Sequence, residues 1–309
     1  MDLAVIIVTW NNEAVIADAL GSLQDDLSTN SLRCEIRVVD CASTDSTVAV
    51  IRRDFPAVIL TTCDENIGFG RANNLAMRSI GFEGRGRERD LPGAVYLLNP
   101  DTVTHAGATK ALFDALFADA GKGVVGARLS FADGSFQHSA FRFPDLRQIW
   151  TELYPTPSRW IEGSFNGRYP RSSYDASEPF EVDFALGATM MLRREVLLGV
   201  GLFDEQFFIY CEEVDWQWRI REHGWRIFCV PQARITHLGG GSSSQARPVS
   251  LFNLWKSRLQ LYDKHYSPWK RWMARKLVAH GMARRMASIP SSEYELIDAC
   301  RKVIELARS

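Results

Sequence analysis

Uninterrupted apolar runs alternate along this chain with segments of helical spacing, and that alternation limits its fold more than any other feature. Residues 3–8 (LAVIIV) contain no polar side chain, as a strand covered on both faces requires. Asn11 and Asn12 then offer helix caps, and apolar residues recur with helical period over 14–27. The pattern repeats, with strands expected over 35–39, 57–60, 95–98 and 124–127 and helices over 45–53, 69–80 and 108–118. Strands alternating with helices predict an α/β domain with a mostly parallel sheet.

Between 131 and 180 the periodicity fails in a stretch rich in Pro, Ser, Tyr and Trp. Order returns with a strand over 187–192, helices from Arg194 and over 213–223, and a strand over 226–230. Beyond Ser250 the chain reads as helical, broken near Pro268 and Pro290. This divides the chain into an α/β domain over 1–250 and a helical extension over 251–309. The charged, glycine-rich segment 84–92 (GRGRERDLP) reads as a mobile surface loop.

A composition of 46% apolar and 24% charged residues excludes whole-chain disorder, a collagen-like chain and a disulfide scaffold. The six cysteines form no C-x-x-C pair, so zinc-ribbon and thioredoxin readings lack support. Scattered thiols of this kind suit a reducing compartment. No run of about 18 apolar residues occurs, and residues 3–8 are too short for a signal peptide. The expected location is the cytoplasm, free or peripheral on the inner face of the cell membrane.

In an open α/β sheet, ligands bind beyond the carboxyl ends of the strands. There the chain places Thr9-Trp10-Asn11, residues 40–45 (DCASTD), residues 64–70 (DENIGFG) and Asn99-Pro100-Asp101. Asp45 and Asp101 each also suit a helix cap. Four polar clusters on one edge of one sheet are harder to assign to capping alone.

In this order the stretches resemble glycosyltransferase family 2. They are Val8-Thr9-Trp10-Asn11, residues 39–45 (VDCASTD), residues 65–74 (ENIGFGRANN), Leu98-Asn99-Pro100-Asp101 and, later, residues 203–216 (FDEQFFIYCEEVDW). The branch they look most like holds bacterial rhamnosyltransferases and galactofuranosyltransferases, and the resemblance spans roughly residues 1–240. Two positions depart from it. Cys41 stands where the family usually has Asn, and Glu213 where it usually has Asp.

The resemblance implies a GT-A fold, Rossmann-like with a helical C-terminal extension, and transfer of a sugar from a nucleotide diphosphate. It places Thr9, Asn11, Asp40, Asp45, Gly68, Arg71, Asn73, Asn74 and Asn99 around the donor. Asp40 suits the N3–H of uracil or thymine, since a carboxylate accepts where a ring imide donates. Arg71 can pair with diphosphate, although an exposed helical arginine explains it as well. Asp101 resembles the second acid of the family's D-x-D metal motif, with Asn99 in the first place. His237 resembles a further metal ligand or diphosphate contact, and the glycines at 239–241 permit close backbone approach to phosphate. The implied cofactor is a divalent cation, Mn2+ or Mg2+, which favours oxygen ligands and keeps positions for phosphate and water.

Inverting transfer needs a carboxylate to take the acceptor hydroxyl proton. Glu212, Glu213 and Asp215 open a predicted helix, where the helix dipole by itself favours acids. The apolar approach Phe207-Phe208-Ile209-Tyr210 favours a pocket over an ordinary exposed loop. Glu213 stands at the family's base position and is the first choice, with Glu212 and Asp215 as alternates. The acceptor side falls to Asp183, Gly187 and Trp216, although an aromatic at helical spacing more often belongs to a core.

The net charge of -1 conceals a division. Residues 1–254 hold 24 basic and 32 acidic side chains, whereas 255–286 hold nine and one. The basic segment also carries Trp255, Tyr262, Tyr266, Trp269, Trp272 and Met273. Such a segment suits an anionic membrane surface and a polyprenyl-linked acceptor; a pair of helices packed on the α/β body, basic face outward, is the alternative. No nucleic-acid module accompanies the charge, so no nucleic-acid partner is expected.

The expected protein is an inverting, metal-dependent glycosyltransferase of cell-surface polysaccharide synthesis. It would move a rhamnose- or galactofuranose-type sugar from a UDP- or dTDP-sugar to a hydroxyl of a glycan or lipid-linked acceptor. The competing reading is a non-catalytic, membrane-docked partner on a degenerate transferase fold, motivated by Cys41 and Glu213. A nucleotidyltransferase would need a glycine-rich basic loop near the N-terminus. A glycoside hydrolase would leave Asp40 and Asp101 unexplained.

Overall fold

The computed structural model describes residues 1–84, 88–239 and 247–309, leaving out the side chain of Arg247. Its first half follows the predicted alternation: β1 (Leu3–Thr9), α1 (Ile16–Ser28), β2 (Cys34–Asp40), α2 (Thr47–Asp54), β3 (Ile59–Thr62), α3 (Phe69–Ile80) and β4 (Ala94–Leu98). Leu3 to Ile7 have no exposed surface, which accounts for the unbroken apolar run. Odd positions of β1 face one core with α1 and α4 (Ala108–Phe117), and Ile6 faces another with α3, as the two-residue period of a strand dictates. Between β4 and α4 lies the short β5 (Thr102–Thr104).

These strands pair in parallel in the order β3-β2-β1-β4. Thr9 is in register with Asp40, and Ile7 with Leu98. The chain leaving β4 at Asn99 therefore emerges beside the end of β1.

After β6 (Lys122–Ser130) comes the stretch without sequence periodicity. It contains only short pieces: β7 (Phe136–Gln137), β8 (Ala140–Phe141), α5 (Leu146–Leu153), α6 (Ser158–Ile161), a 3-10 turn (Ser164–Asn166), α7 (Arg171–Tyr174), β9 (Phe180–Val182) and β10 (Phe184–Ala185). Then follow β11 (Thr189–Arg193), α8 (Arg194–Val200), α9 (Glu212–Glu222) and β12 (Arg226–His237). β11 enters the sheet at the carboxyl end of β4, where Thr189 pairs with Leu98, and so runs antiparallel to both β4 and β6. β5 is also antiparallel to β12. The sheet is thus mixed rather than mostly parallel, in the order β3-β2-β1-β4-β11-β6-β12-β5.

β12 runs past the expected end at Val230 to His237. Its register against β6 shifts between Val230 and Arg234, around Pro231, the sort of bulge in which a strand tolerates proline. That extension carries His237 to the edge where β5 begins, with His237 opposite Thr102.

The C-terminal region comprises α10 (Arg247–His265), α11 (Pro268–Ala287) and α12 (Tyr294–Arg308). Trp255, Leu259 and Tyr262 of α10 and Val303 and Ile304 of α12 share one apolar cluster with Phe207, Cys211 and Val214. The C-terminal helices are therefore packed against the segment that leads into α9. All six cysteines are free thiols. Among the described residues no helix is long and apolar enough to cross a membrane. Of the loop expected over 84–92, residues 85–87 lie outside the described residues, and Glu88–Asp90 form a short 3-10 turn.

Candidate active site

The loops after β1 and β2 are locked together by side chains. Asn11, with φ 53°, donates its backbone N–H to Ser43 Oγ at 2.8 Å and accepts from Thr44 N at 2.8 Å. Ser43 in turn donates from Oγ and N to the buried Asp40 carboxylate, at 2.5 and 2.9 Å. Thr9 donates to Asn12 Oδ1 at 2.9 Å. Thr9, Asn11 and Asp40, all expected at the donor, are thus brought to one place. Asp45 accepts from the Thr47 hydroxyl and from the amides of Thr47 and Glu13. Burial opposes its charge, but these donors outweigh burial and hold the carboxyl below its ordinary range. Its oxygens satisfy the first residue of α2 and tie the two loops together, while Ser46 holds the N-cap position.

The Gly-Phe-Gly turn that opens α3 lies against the segment before α9. Gly68 has φ 83°, and a Cβ there would stand 2.2 Å from the Phe208 carbonyl oxygen. Phe69 N donates to that same oxygen at 3.2 Å. Asn74 is fully buried and bonds both the N–H and the C=O of Phe203, at 3.0 and 2.9 Å, as well as Glu205. Asn73 donates back to Phe69 O at 3.0 Å. Both asparagines brace the turn. Arg71 remains half exposed, 3.5 Å from Glu205.

At the end of β4, Asn99 N donates to Ala188 O at 3.0 Å. Two residues on, Asp101 Oδ1 stands 3.4 Å from His237 Nε2, and both side chains are mostly buried. The other ring nitrogen, Nδ1, lies 3.1–3.3 Å from the amide of Gln137. When Nδ1–H donates to Gln137 Oε1, Nε2 and Asp101 Oδ1 are two acceptors facing each other, and a cation between them satisfies both. A carboxylate and an imidazole so arranged fit a divalent ion. No third His, Cys, Asp or Glu joins them among the described residues, so further ligands would be oxygens of other kinds, from phosphate, water or amide and hydroxyl groups. Of the glycine-rich stretch after His237, residues from 240 lie outside the described residues.

The turn into α9 is strained. Tyr210 and Cys211 both have positive φ, 68° and 66°, a conformation costing on the order of 1–3 kcal/mol for each non-glycine residue. Ser257 of α10 holds the turn by donating to Ile209 O at 2.7 Å. Beyond it, Glu212 is 4% exposed and its Oε2 is buried without a partner. Burial first, and the neighbouring Glu213 second, push the Glu212 carboxyl well above the usual range. Burial also raises Glu213, and the amides of Glu213 and Val214 partly offset it. The Glu213 side chain lies across Gly187, where an added Cβ would meet its Cγ at 3.3 Å. Gly187, Ala188 and Asn99 thus connect Glu213 to the Asp101–His237 pair.

Other expected residues take supporting places. Asp215 is fully buried and bonded to Arg219, Lys264 and His265. Trp216 has no exposed surface; its indole N–H donates to Gly201 O at 2.8 Å and its ring packs on Phe203. It sits in the core beneath the turn, without a face for a sugar. Asp183 accepts from Phe143 N at 3.0 Å and pairs with Arg221.

Sequence reasoning passed over three residues that shape this site. Gln137, which orients His237, lies in the stretch without periodicity. Gln217 is fully buried and bonds both backbone groups of Ala185 at 2.8 Å, fixing α9 on β10. His265 binds Asp215 from another helix. None of these carries a motif, and only the fold brings their partners close.

The profile described as Glycosyl transferase family 2 matches residues 4–200. A protein of Mycobacterium tuberculosis (strain ATCC 25618 / H37Rv), named N-acetylglucosaminyl-diphospho-decaprenol L-rhamnosyltransferase, is 29% identical over 278 residues, which are 88% of this chain and 89% of that protein. Two solved structures share the fold. GalNAc-T7 with UDP, GalNAc and Mn2+ matches with TM-score 0.60 at 15% identity, over 100% of this chain and 54% of that one. The Pyrobaculum calidifontis mannosyltransferase PcManGT, with GDP-Man and Mn2+, matches with TM-score 0.53 at 18% identity, over 99% and 84%. The expected GT-A fold with a helical C-terminal region is therefore observed. With most of its length spanned by the profile, the chain belongs to glycosyl transferase family 2 and is a glycosyltransferase enzyme.

Proposed function

We propose that this glycosyltransferase moves a rhamnose-type sugar, with galactofuranose as the alternative, from a UDP- or dTDP-sugar to a lipid-linked glycan hydroxyl with inversion at the anomeric carbon. The observation that carries this reading is the junction of two pairs at the end of β4: Asp101 with His237, and Glu213 over Gly187. The mycobacterial relative, whose name specifies a rhamnosyl transfer to a diphospho-decaprenol acceptor, supports the sugar and the acceptor class.

Asp40, at the end of β2 beside Thr9, reads the base of the nucleotide. Asp101 and His237 would hold the divalent ion. When bound, Mn2+ or Mg2+ neutralises charge that builds on the departing diphosphate.

Glu212 and Glu213 are adjacent and both raised by burial. Two carboxylates so placed do not readily ionise together. Glu212, buried and without a partner, keeps the proton. Glu213, half-buried over Gly187, is ionised and takes the proton of the acceptor hydroxyl. Its extra methylene, relative to the family's usual Asp, lies along Gly187, which has no side chain to obstruct it.

Such an enzyme works in the cytoplasm at the inner face of the membrane, where a polyprenyl acceptor is held. The test is nucleoside diphosphate release from UDP- and dTDP-sugars, with Mn2+, Mg2+ or chelator, in the presence of an N-acetylglucosaminyl-diphospho-polyprenol. Sugar transfer that needs the metal is expected. No release from any UDP- or dTDP-sugar overturns the reading.

A further inference from the structure

α11 contains six basic residues, one histidine and no acid. Its inner face, Ala274, Val278, Gly281 and Met282, is buried. Gly281 is packed so closely on α5 that an added Cβ would stand 2.6 Å from Leu153 Cβ. The outer face carries Trp269, Trp272, Lys276, His280 and Arg284, all exposed. Their spacing of three or four residues puts them on one stripe of the helix. The two tryptophans are 66% and 56% exposed, although burying such rings is strongly favoured over leaving them in water.

Beside the other end of the stripe stands Trp150 of α5. It is 42% exposed and stacks on Tyr154, with ring centroids 4.4 Å apart. Tyr154 is hydrogen-bonded to His280 and lies under Arg284. Aromatic rings thus flank both ends of a basic stripe on a helix of 20 residues, about 30 Å long.

The charge on this face differs from the sequence count. Arg258, Lys264, Lys270 and Arg275 are spent on Glu152, Asp204 and Asp215, Asp145 and Asp263, respectively. Lys276 and Arg284 have no carboxylate partner among the described residues, and Lys276 lies 5.9 Å from the Trp272 ring. Exposed tryptophans beside cations without carboxylate partners match a membrane interface, where indole rings sit at headgroup level and cations meet anionic lipid.

The geometry points to the outer face of α11, with Trp150, as the surface that lies flat on an anionic lipid bilayer. This rests on the lipid-linked acceptor proposed above and names the face that meets the membrane. Trp269 and Trp272 supply the insertion, and Lys276 and Arg284 the preference for negative lipid.

The test is sedimentation of the full chain with vesicles of phosphatidylcholine alone or mixed with phosphatidylglycerol. Binding to the mixed vesicles is expected, weakened roughly tenfold or more in W269S/W272S. In K276E/R284E, binding to mixed vesicles should fall by roughly fivefold or more for each charge, with little change on neutral ones. Thermal unfolding of each variant, with and without UDP and Mn2+, reports that it folds and keeps its donor site. Folded variants that bind mixed vesicles as the wild type does overturn the proposal. So does a wild type that ignores vesicles and instead self-associates through these tryptophans in light scattering. The vesicles contain no acceptor, so the outcome is independent of the sugar and acceptor assignment. Conversely, W269S/W272S should keep wild-type transfer to a short-chain soluble acceptor while losing it to a vesicle-embedded one.

Discussion

His265 Nε2 donates to Asp215 Oδ1 over 2.8 Å, joining the end of α10 to the helix that bears Glu213. Lys264 reaches the same oxygen at 2.8 Å and Arg219 the other at 3.0 Å. Burial works against the Asp215 charge, but His265, Lys264 and Arg219 overcome it and hold the carboxyl at about 2 rather than 3.8. A carboxyl with a lowered folded pKa adds stability that is complete above its unfolded value. That stability is lost as pH falls toward the folded value. The shift corresponds to about 2 kcal/mol at neutral pH. Asp215→Asn should cost at least about that much at neutral pH and lose less than the wild type between about pH 4 and pH 2. Urea unfolding at several pH values measures both. An equal loss at every pH would remove Asp215 from the acid transition.

Glu212→Gln and Glu213→Gln should behave differently, although the residues are neighbours. An amide is a fair replacement for a protonated acid, so E212Q should keep most turnover. E213Q removes the proposed base and should lose on the order of 10²–10⁴ in kcat. Because burial raises Glu213 above the ordinary 4.5, the rate should climb with pH through an apparent pKa above that value. Steady-state rates of both variants across pH decide which carboxylate is the base. The reverse pattern would make Glu212 the base.

Gln137 should set metal affinity through its bond to His237. It holds His237 by the ring nitrogen that faces away from Asp101. Gln137→Ala should raise the Mn2+ concentration for half-maximal turnover by roughly 10–100-fold, as loss of a ligand's orienting partner does. Asp101→Ala should abolish metal-dependent turnover. Mn2+ titrations of activity and of UDP binding distinguish the two effects. Unchanged Mn2+ dependence in both variants would place the ion elsewhere.

Two glycines should differ in the same assay. Gly68→Ala combines a positive φ with a backbone oxygen 2.2 Å from the new Cβ. It should destabilise the fold by more than about 2 kcal/mol. Gly187→Ala meets the flexible Glu213 side chain at 3.3 Å. It should fold normally and lose turnover, because the Glu213 side chain must move. Thermal denaturation beside kcat separates them, and a Gly187→Ala enzyme with full activity would detach Glu213 from this position.

Much of this site is legible where chemistry and local structure coincide. The helix over 69–80 can be read to its ends because Gly68 and Gly81 bound it, both with positive φ. Asp40 closes β2 and Asp101 stands just beyond β4, so the order of these parallel strands gathers them. The direction of β11 is not legible, since its apolar run fits either orientation. Pro231 hides the second half of β12 by imitating a strand end. The place of Trp216 is equally hidden, because the same indole serves a core or a sugar. Gln137, Gln217 and His265 matter through partners far away in sequence, which no local pattern encodes.

The strained turn at Tyr210 and Cys211 has a consequence in time. The side chains packed with it, from Trp255 to Ile304, leave the ribosome after Glu213 does. A nascent chain can complete β1 to β4 and pair Thr9 with Asp40 while Glu213 still lacks a fixed position. Competence arrives only when α12 has docked. Chains arrested with α12 made but still inside the ribosomal exit tunnel should therefore show no sugar transfer, and release should switch it on without further elongation.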